Sequence, residues 1–128
     1  MQKGFFAHAC CCGNRLYNKH IVTIDSQCLL ISLSPFIRET AHTVFTDGML
    51  IVADETFDCE IENFMSELRE QLTRQPQTTI VQAIQENSIY HRHHTSINTP
   101  CTLYSLQPIA WQSMQPQAIE TLSIKKIV

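Results

Sequence analysis

The hydrophobic positions in the first half of the chain predict a series of short β-strands. Apolar runs alternate with polar or glycine-containing turns, and the run within His20–Asp25 is rich in β-branched residues. Gly13 and Asp25 mark turns, and Pro35 is expected to end the fourth segment. Short strands at this spacing are typical of a sandwich or small barrel. The predicted strands cover residues 5–12, 16–19, 20–25, 29–33, 43–45 and 48–52.

The middle of the chain changes to a helical period. Apolar residues recur there three and four positions apart, which predicts one buried face of an amphipathic helix. Asp58 is the expected N-cap, and Pro76 is expected to stop this helix. A shorter second helix is expected to begin at Thr78 or Thr79 and to end at Asn87. The apolar face consists of Ile61, Phe64, Met65, Leu68 and Leu72.

The last third returns to a strand pattern. Residues 90–100 read as a loop, and strands are predicted over residues 101–106, 109–111 and 122–128. The sequence therefore predicts an α+β, mainly β fold. Residues 1–128 would form a single small β-sandwich or barrel-like composite domain with a two-helix insert at about residues 58–88.

Composition narrows the functional classes. The chain has 128 residues, of which 44% are hydrophobic and 16% charged, enough for a packed core and too few charges for a disordered chain. The net charge is −3, and Lys125 and Lys126 are the only adjacent basic pair, so nucleic acid is not an expected partner. No apolar run is long enough for a membrane span, and His8 interrupts the short N-terminal run. We expect a cytoplasmic protein with reduced cysteines.

Both ends of the chain resemble the small β-domain of metal-dependent amidohydrolases. In that family, strands from the two ends form one composite sandwich beside a (β/α)8 barrel. The resemblance therefore implies that the N-terminal and C-terminal strands share a sandwich here. The segments that carry it are residues 13–25, 30–36, 48–52, 101–106 and 122–127.

The chain departs from this family where the catalytic barrel should be. A barrel takes roughly 250 residues, and only residues 53–99 separate the two ends. The His-x-His metal motif of the family has no counterpart in residues 50–55. Alignment with the last barrel strand instead places Asp54 on the metal-binding aspartate and residues 80–88 on the final helix. One carboxylate cannot hold the metal, so the resemblance implies no inherited activity.

Two clusters could carry chemistry of their own. In the triplet of residues 10–12, Cys10 and Cys12 would lie on one face of a strand. His91, His93 and His94 follow in the predicted loop. The two clusters could form a mixed zinc site if they met in space. The alternative is that one face of the triplet belongs to the core and the other carries a surface thiol, and that the histidines are solvated.

Three functions remain open at this point. The chain could be a non-catalytic binding or assembly module, a small metal-binding or redox protein, or an accessory subunit of a separate barrel-containing hydrolase. Apart from zinc in the second case, no cofactor is expected. A missing barrel would leave an apolar surface uncovered, which predicts a homodimer. Trp111 or the strand around Ile109 is expected near its interface.

Overall fold

A computed structural model describes residues 2–37 and 42–128. The strands in these residues form a four-stranded sheet in the order β5-β4-β1-β6, a five-stranded sheet in the order β11-β8-β7-β2-β3, and the ribbon β9-β10. Their bounds are β1 Gln2–Phe6, β2 Ala9–Cys12, β3 Arg15–Asn18, β4 His20–Asp25, β5 Leu30–Pro35, β6 Thr43–Phe45, β7 Met49–Ala53, β8 Thr102–Gln107, β9 Ile109–Ala110, β10 Gln115–Pro116 and β11 Ser123–Lys126.

The helices cover one side of the five-stranded sheet. The predicted cap at Thr79 is confirmed, because its side chain accepts a hydrogen bond from the Gln82 amide at 3.2 Å. Asp58 does not cap α1, since a 3-10 turn precedes that helix, and its carboxylate instead accepts from the Tyr104 hydroxyl at 2.9 Å. The helical elements are the turns Phe57–Glu60 and Ile119–Thr121, α1 Ile61–Arg74, α2 Ile80–Glu86 and α3 Ser88–His91.

The five-stranded sheet separates two hydrophobic cores. Every residue of its central strand β7 is buried. Leu50 and Val52 face the four-stranded sheet, whereas Met49, Ile51 and Ala53 face the helices. The predicted mainly β fold is therefore confirmed, and strands from both ends of the chain belong to one sandwich with the helical insert packed on it.

The apolar run over residues 5–12 is not one strand, which corrects the sequence interpretation. β1 belongs to the four-stranded sheet and β2 to the five-stranded sheet. Phe5, Ala7 and Cys10 all face the core between the sheets, so the two-residue alternation slips by one near His8. The later segment that contains β6 and β7 makes the same crossing, and its strands pair in parallel with β1 and β2. Because the two segments cross between the sheets side by side, they are hydrogen-bonded to each other in both sheets.

The tight entry to β7 depends on Gly48. Its φ of +84° is the left-handed conformation that glycine adopts without strain. A Cβ at this position would lie 2.5 Å from the Leu106 carbonyl oxygen. Gly48 therefore lets β7 approach β8 closely. Among the residues that the structure describes, no helix has the length and apolar character to cross a bilayer.

Candidate functional site

The cysteine triplet lies in the core of the sandwich. Cys10 is buried between the two sheets and Cys12 is half-buried on the same side, whereas Cys11 points to the helical side. The Cys11 thiol lies 3.5 Å from the Met49 sulfur. Burial raises the pKa of Cys10 well above its ordinary value and that of Cys11 to about 12. Without a metal ion, these thiols therefore resist the deprotonation that a nucleophile needs.

The predicted histidine loop lies on the other face of the same sheet. His91 and His94 are exposed, with ring centroids 5.7 Å apart. Beneath them the Tyr90 hydroxyl donates to the Val52 carbonyl oxygen at 3.0 Å, on the helical side of β7. The sheet thus stands between the histidines and Cys10 and Cys12.

The structure does not bring a metal-ligand set together at these positions. Within residues 2–37 and 42–128, no group of three or more His, Cys, Asp or Glu side chains has an arrangement that could hold a metal ion. Zinc binding by His91, His93, His94, Cys10 and Cys12 stays a prediction. Metal analysis of protein purified without a histidine tag would check it.

His93 lies in a charged bridge that was not predicted from the sequence. The ring is 7% exposed. Its Nδ1 lies 2.9 Å from Asp54 Oδ1, and its Nε2 contacts the Glu60 carboxylate. Thr56 donates its hydroxyl to Asp54 at 2.8 Å, and Arg92 donates to Glu60 at 2.9 Å. The bridge joins the end of β7, the 3-10 turn before α1 and the loop after α3.

The bridge favours the charged form of His93. Burial alone would lower the pKa of His93, but hydrogen bonds to Glu60 and Asp54 outweigh burial and raise it. The hydrogen bond with His93 lowers the pKa of Glu60. Burial would raise the pKa of Asp54, but its hydrogen bonds with His93 and Thr56 lower it. In this charged form the ring donates from both nitrogens and has no lone pair with which to act as a base.

The contacts of Thr56 do not match a simple nucleophile–base pair. Thr56 Oγ1 lies 3.1 Å from His93 Nδ1, as a nucleophile would. Its hydroxyl proton, however, is directed to Asp54. The bridge therefore holds three segments together rather than activating Thr56.

A polar groove of about 460 Å³ opens beside the bridge. Its walls combine carboxylates, hydroxyls and an exposed imidazole, so it could accommodate a small polar molecule. The lining residues are Asp54, Glu55, Thr56, His94, Thr95, Ser96, Thr99 and Pro100.

A second candidate surface is a continuous row of five rings, which we term the aromatic row. Phe36 stacks on Phe6 with centroids 4.3 Å apart. Phe6 meets Phe45 edge-on at 5.7 Å, and Phe45 meets His8 at 5.6 Å. His8 contacts Trp111 at 5.4 Å. The row joins segments that are distant in sequence, and only Trp111 was expected at a surface of this kind.

Phe6 and Phe45 of the aromatic row lie on the outer face of the four-stranded sheet, whereas Trp111 at the end of the row packs against the helical-side core. Phe5 points into the core, so its neighbour Phe6 points outward, together with its strand partner Phe45. Phe45 is 52% exposed. Ile37, next to Phe36 in the chain, is 87% exposed. The aromatic row and the neighbouring Ile37 thus form an apolar patch on the surface.

Comparison of this chain with protein-family models, with curated proteins and with solved structures gives no match. The class that the fold defines is a mainly β α+β domain, a two-sheet sandwich with helices on one face.

Proposed function

We propose that this chain is a non-catalytic binding and assembly module and that the aromatic row is its binding surface. The observation that carries this proposal is the continuous contact of five rings from Phe36 to Trp111, with Phe45 half exposed. Aromatic side chains contribute large contact areas to interfaces. Contiguous apolar patches on a protein surface mark interaction sites.

The proposed occupant of the aromatic row is a second copy of this chain. β6 is the edge strand of its sheet among the described residues, and its Phe45 lies at the centre of the row. A two-fold axis near β6 would lay each row against its own counterpart, which is the commonest symmetry of soluble oligomers. The net charge of −3 opposes this association only weakly. Trp111, which the sequence predicts near a homodimer interface, is the last ring of the row.

The proposal includes two interpretations taken from the sequence. One is that the chain corresponds to the β-domain of an amidohydrolase without its barrel, and a shared sandwich of both chain ends agrees with it. The other is a cytoplasmic location, with which six free thiols agree.

A separate experiment tests the expectation that the chain has no catalytic activity. We expect no turnover of amide, ester or cyclic-ureide substrates, with or without added zinc. The engagement of both His93 nitrogens by carboxylates supports this expectation. Reproducible turnover that disappears in Asp54→Ala or Thr56→Ala would contradict it.

Sedimentation equilibrium over a wide concentration range tests the proposed assembly. Wild-type protein is expected to sediment at twice the chain mass of 14.7 kDa. Phe45→Glu places a charge at the centre of the row, so this variant is expected to sediment as a monomer. The expected loss of dimer affinity is at least tenfold, because a central aromatic side chain contributes roughly 2 kcal/mol or more to an interface.

Ile97→Glu is the matched control for the dimer. Ile97 is 48% exposed, similar to Phe45. It lies next to Asn98, whose amide donates to the Leu30 carbonyl oxygen at the opposite end of β5 from Phe36. This variant is expected to dimerise like wild type. A single 14.7 kDa species of wild type at high concentration, or equal loss in both variants, would overturn the proposal.

A further inference from the structure

Two cysteines outside the triplet lie opposite each other where the two sheets meet. Leu29 and Pro100 form an isolated antiparallel bridge. The Cys101 amide donates to the Cys28 carbonyl oxygen at 2.9 Å, so this register sets Cys28 directly across from Cys101. The Cys28 amide donates to the Asp25 carbonyl oxygen in its own turn, so the two cysteines share one of the two bonds of a full strand pair, whose Cα atoms are about 5.5 Å apart. A disulfide spans Cα separations of about 4.4–6.8 Å.

The two thiols differ in accessibility. Cys28 is exposed in the turn between β4 and β5, with φ at +62°. Cys101 is 2% exposed and belongs to the core between the sheets. The pKa of Cys101 is raised to about 11, mainly because the thiol is buried and to a smaller extent because Cys28 and Cys12 lie nearby. An outside reagent therefore meets Cys28 first, and Cys101 is placed to react second.

We propose that Cys28 and Cys101 form a thiol–disulfide modification site whose oxidant is a low-molecular-weight disulfide. The Cys28 thiol gives its proton to solvent, and the thiolate attacks one sulfur of that disulfide, which forms a mixed disulfide and releases a small thiolate that takes up a proton. Cys101 loses its proton to solvent and attacks the Cys28 sulfur, which releases the second small thiol. Two protein thiols are oxidised and one small disulfide is reduced to two thiols.

The bridge would connect the two sheets covalently. Cys28 lies in the β4–β5 turn of the four-stranded sheet, and Cys101 immediately precedes β8 of the five-stranded sheet. A crosslink between positions so distant in sequence restricts the unfolded chain strongly. The oxidised protein is therefore expected to melt several degrees above the reduced protein, and a dithiol reductant should reverse the shift.

Peptide mass mapping of the whole folded chain tests the site, with oxidised glutathione as the probe. Wild-type protein is expected to lose two hydrogens and to yield a crosslink between the peptides of Cys28 and Cys101. Cys101→Ala should retain glutathione on Cys28, because the second attack is lost. Cys28→Ser should leave Cys101 reduced. Cys59→Ser removes an exposed thiol on the helical side and should form the bridge like wild type.

Three outcomes would overturn the inference. They are a glutathione adduct on wild-type Cys28 that is never displaced, a crosslink from Cys28 to Cys12 instead of Cys101, and a bridge that forms only in denaturant. If Cys101→Ala does not fold, the wild-type map and Cys28→Ser decide the question without it. Dimerisation through the aromatic row can fail without affecting this result.

Discussion

At the scale of single residues, His93 makes the most specific set of contacts. Its two ring nitrogens contact Asp54 and Glu60, and its backbone carbonyl accepts from the Asp54 amide at 2.9 Å. Phe57 packs edge-on against the ring with centroids 5.4 Å apart. The side chain is therefore held by charge, hydrogen bonds and packing together.

The stability that His93 contributes should depend on pH. The raised pKa of His93 means that its contribution is complete below the ordinary imidazole value of about 6.5 and is lost as pH rises through the folded value. The lowered pKa values of Asp54 and Glu60 give contributions that are complete above about 4 and are lost in stronger acid. The cluster therefore stabilises the fold most between about pH 4 and 6.5.

The test compares wild type with His93→Gln by chemical denaturation at a series of pH values. The variant should lose about 1–3 kcal/mol near pH 5.5 and progressively less as pH rises. His91→Gln, an exposed histidine outside the bridge, is the control. A difference between wild type and His93→Gln that stays constant with pH would contradict the prediction.

Alanine substitutions at two glycines distinguish the cost of backbone strain from the cost of a steric clash. Gly13 has φ at +62°, and a Cβ added there would meet nothing within 4 Å, so Gly13→Ala should cost about 1 kcal/mol of strain. Gly48 adds a 2.5 Å contact with the Leu106 carbonyl oxygen, and Gly48→Ala should cost about 3 kcal/mol or more. Equal losses in the free energy of unfolding would show that β7 can move away from β8.

At the scale of elements, Asn87 joins three helices. Its side-chain oxygen accepts from the amides of Ile89 at 2.9 Å and Tyr90 at 3.1 Å, which caps α3. Its side-chain nitrogen donates to the Phe64 carbonyl oxygen of α1 at 3.2 Å. Asn87 also follows the last residue of α2, so it fixes the segment that leads to His93.

Asn87→Ala should lower the free energy of unfolding by about 2–3 kcal/mol, because it removes a cap and leaves the Phe64 carbonyl without this donor. Asn87→Ser retains an oxygen that can cap α3 but does not reach α1, and it should lose about half as much. Equilibrium denaturation measures both variants. Equal losses in the two variants would show that the bond to Phe64 contributes little.

At the scale of the whole molecule, β7 belongs to both hydrophobic cores. Its Leu50 faces the four-stranded sheet and its Ile51 faces the helices, and both are completely buried. Loss of either core would expose one face of the same strand. We therefore expect the two sheets and the helices to unfold together.

Leu50→Ala tests this coupling. It should destabilise the protein by about 2–5 kcal/mol, as large-to-small core substitutions do. The transition followed by Trp111 fluorescence and the transition followed by far-ultraviolet circular dichroism should shift together. Trp111 packs against the helical-side core. A Trp111 transition that keeps its wild-type midpoint while the circular dichroism transition shifts would show that the helical side unfolds separately from the sandwich.

Features that depend on neighbours in the chain could be predicted from the sequence alone. The period of Phe64, Leu68 and Leu72 predicts α1 because buried residues must recur along one side of a helix. The turn at Asp25 could be predicted for a similar reason, since its carboxylate accepts from the Gln27 amide at 2.8 Å, two residues away. The alternation within the cysteine triplet follows from strand geometry.

Tertiary structure alone decided which distant residues meet. The break near His8 follows from pairing with the later segment that holds β6 and β7, more than 30 residues away. His93 is buried because Asp54 and Glu60 arrive from other elements, so a loop pattern could not distinguish it from its exposed neighbours. The aromatic row and the opposition of Cys28 and Cys101 likewise arise across the sandwich. Local periodicity predicts which side of an element is buried, but it does not predict which other element lies against that side.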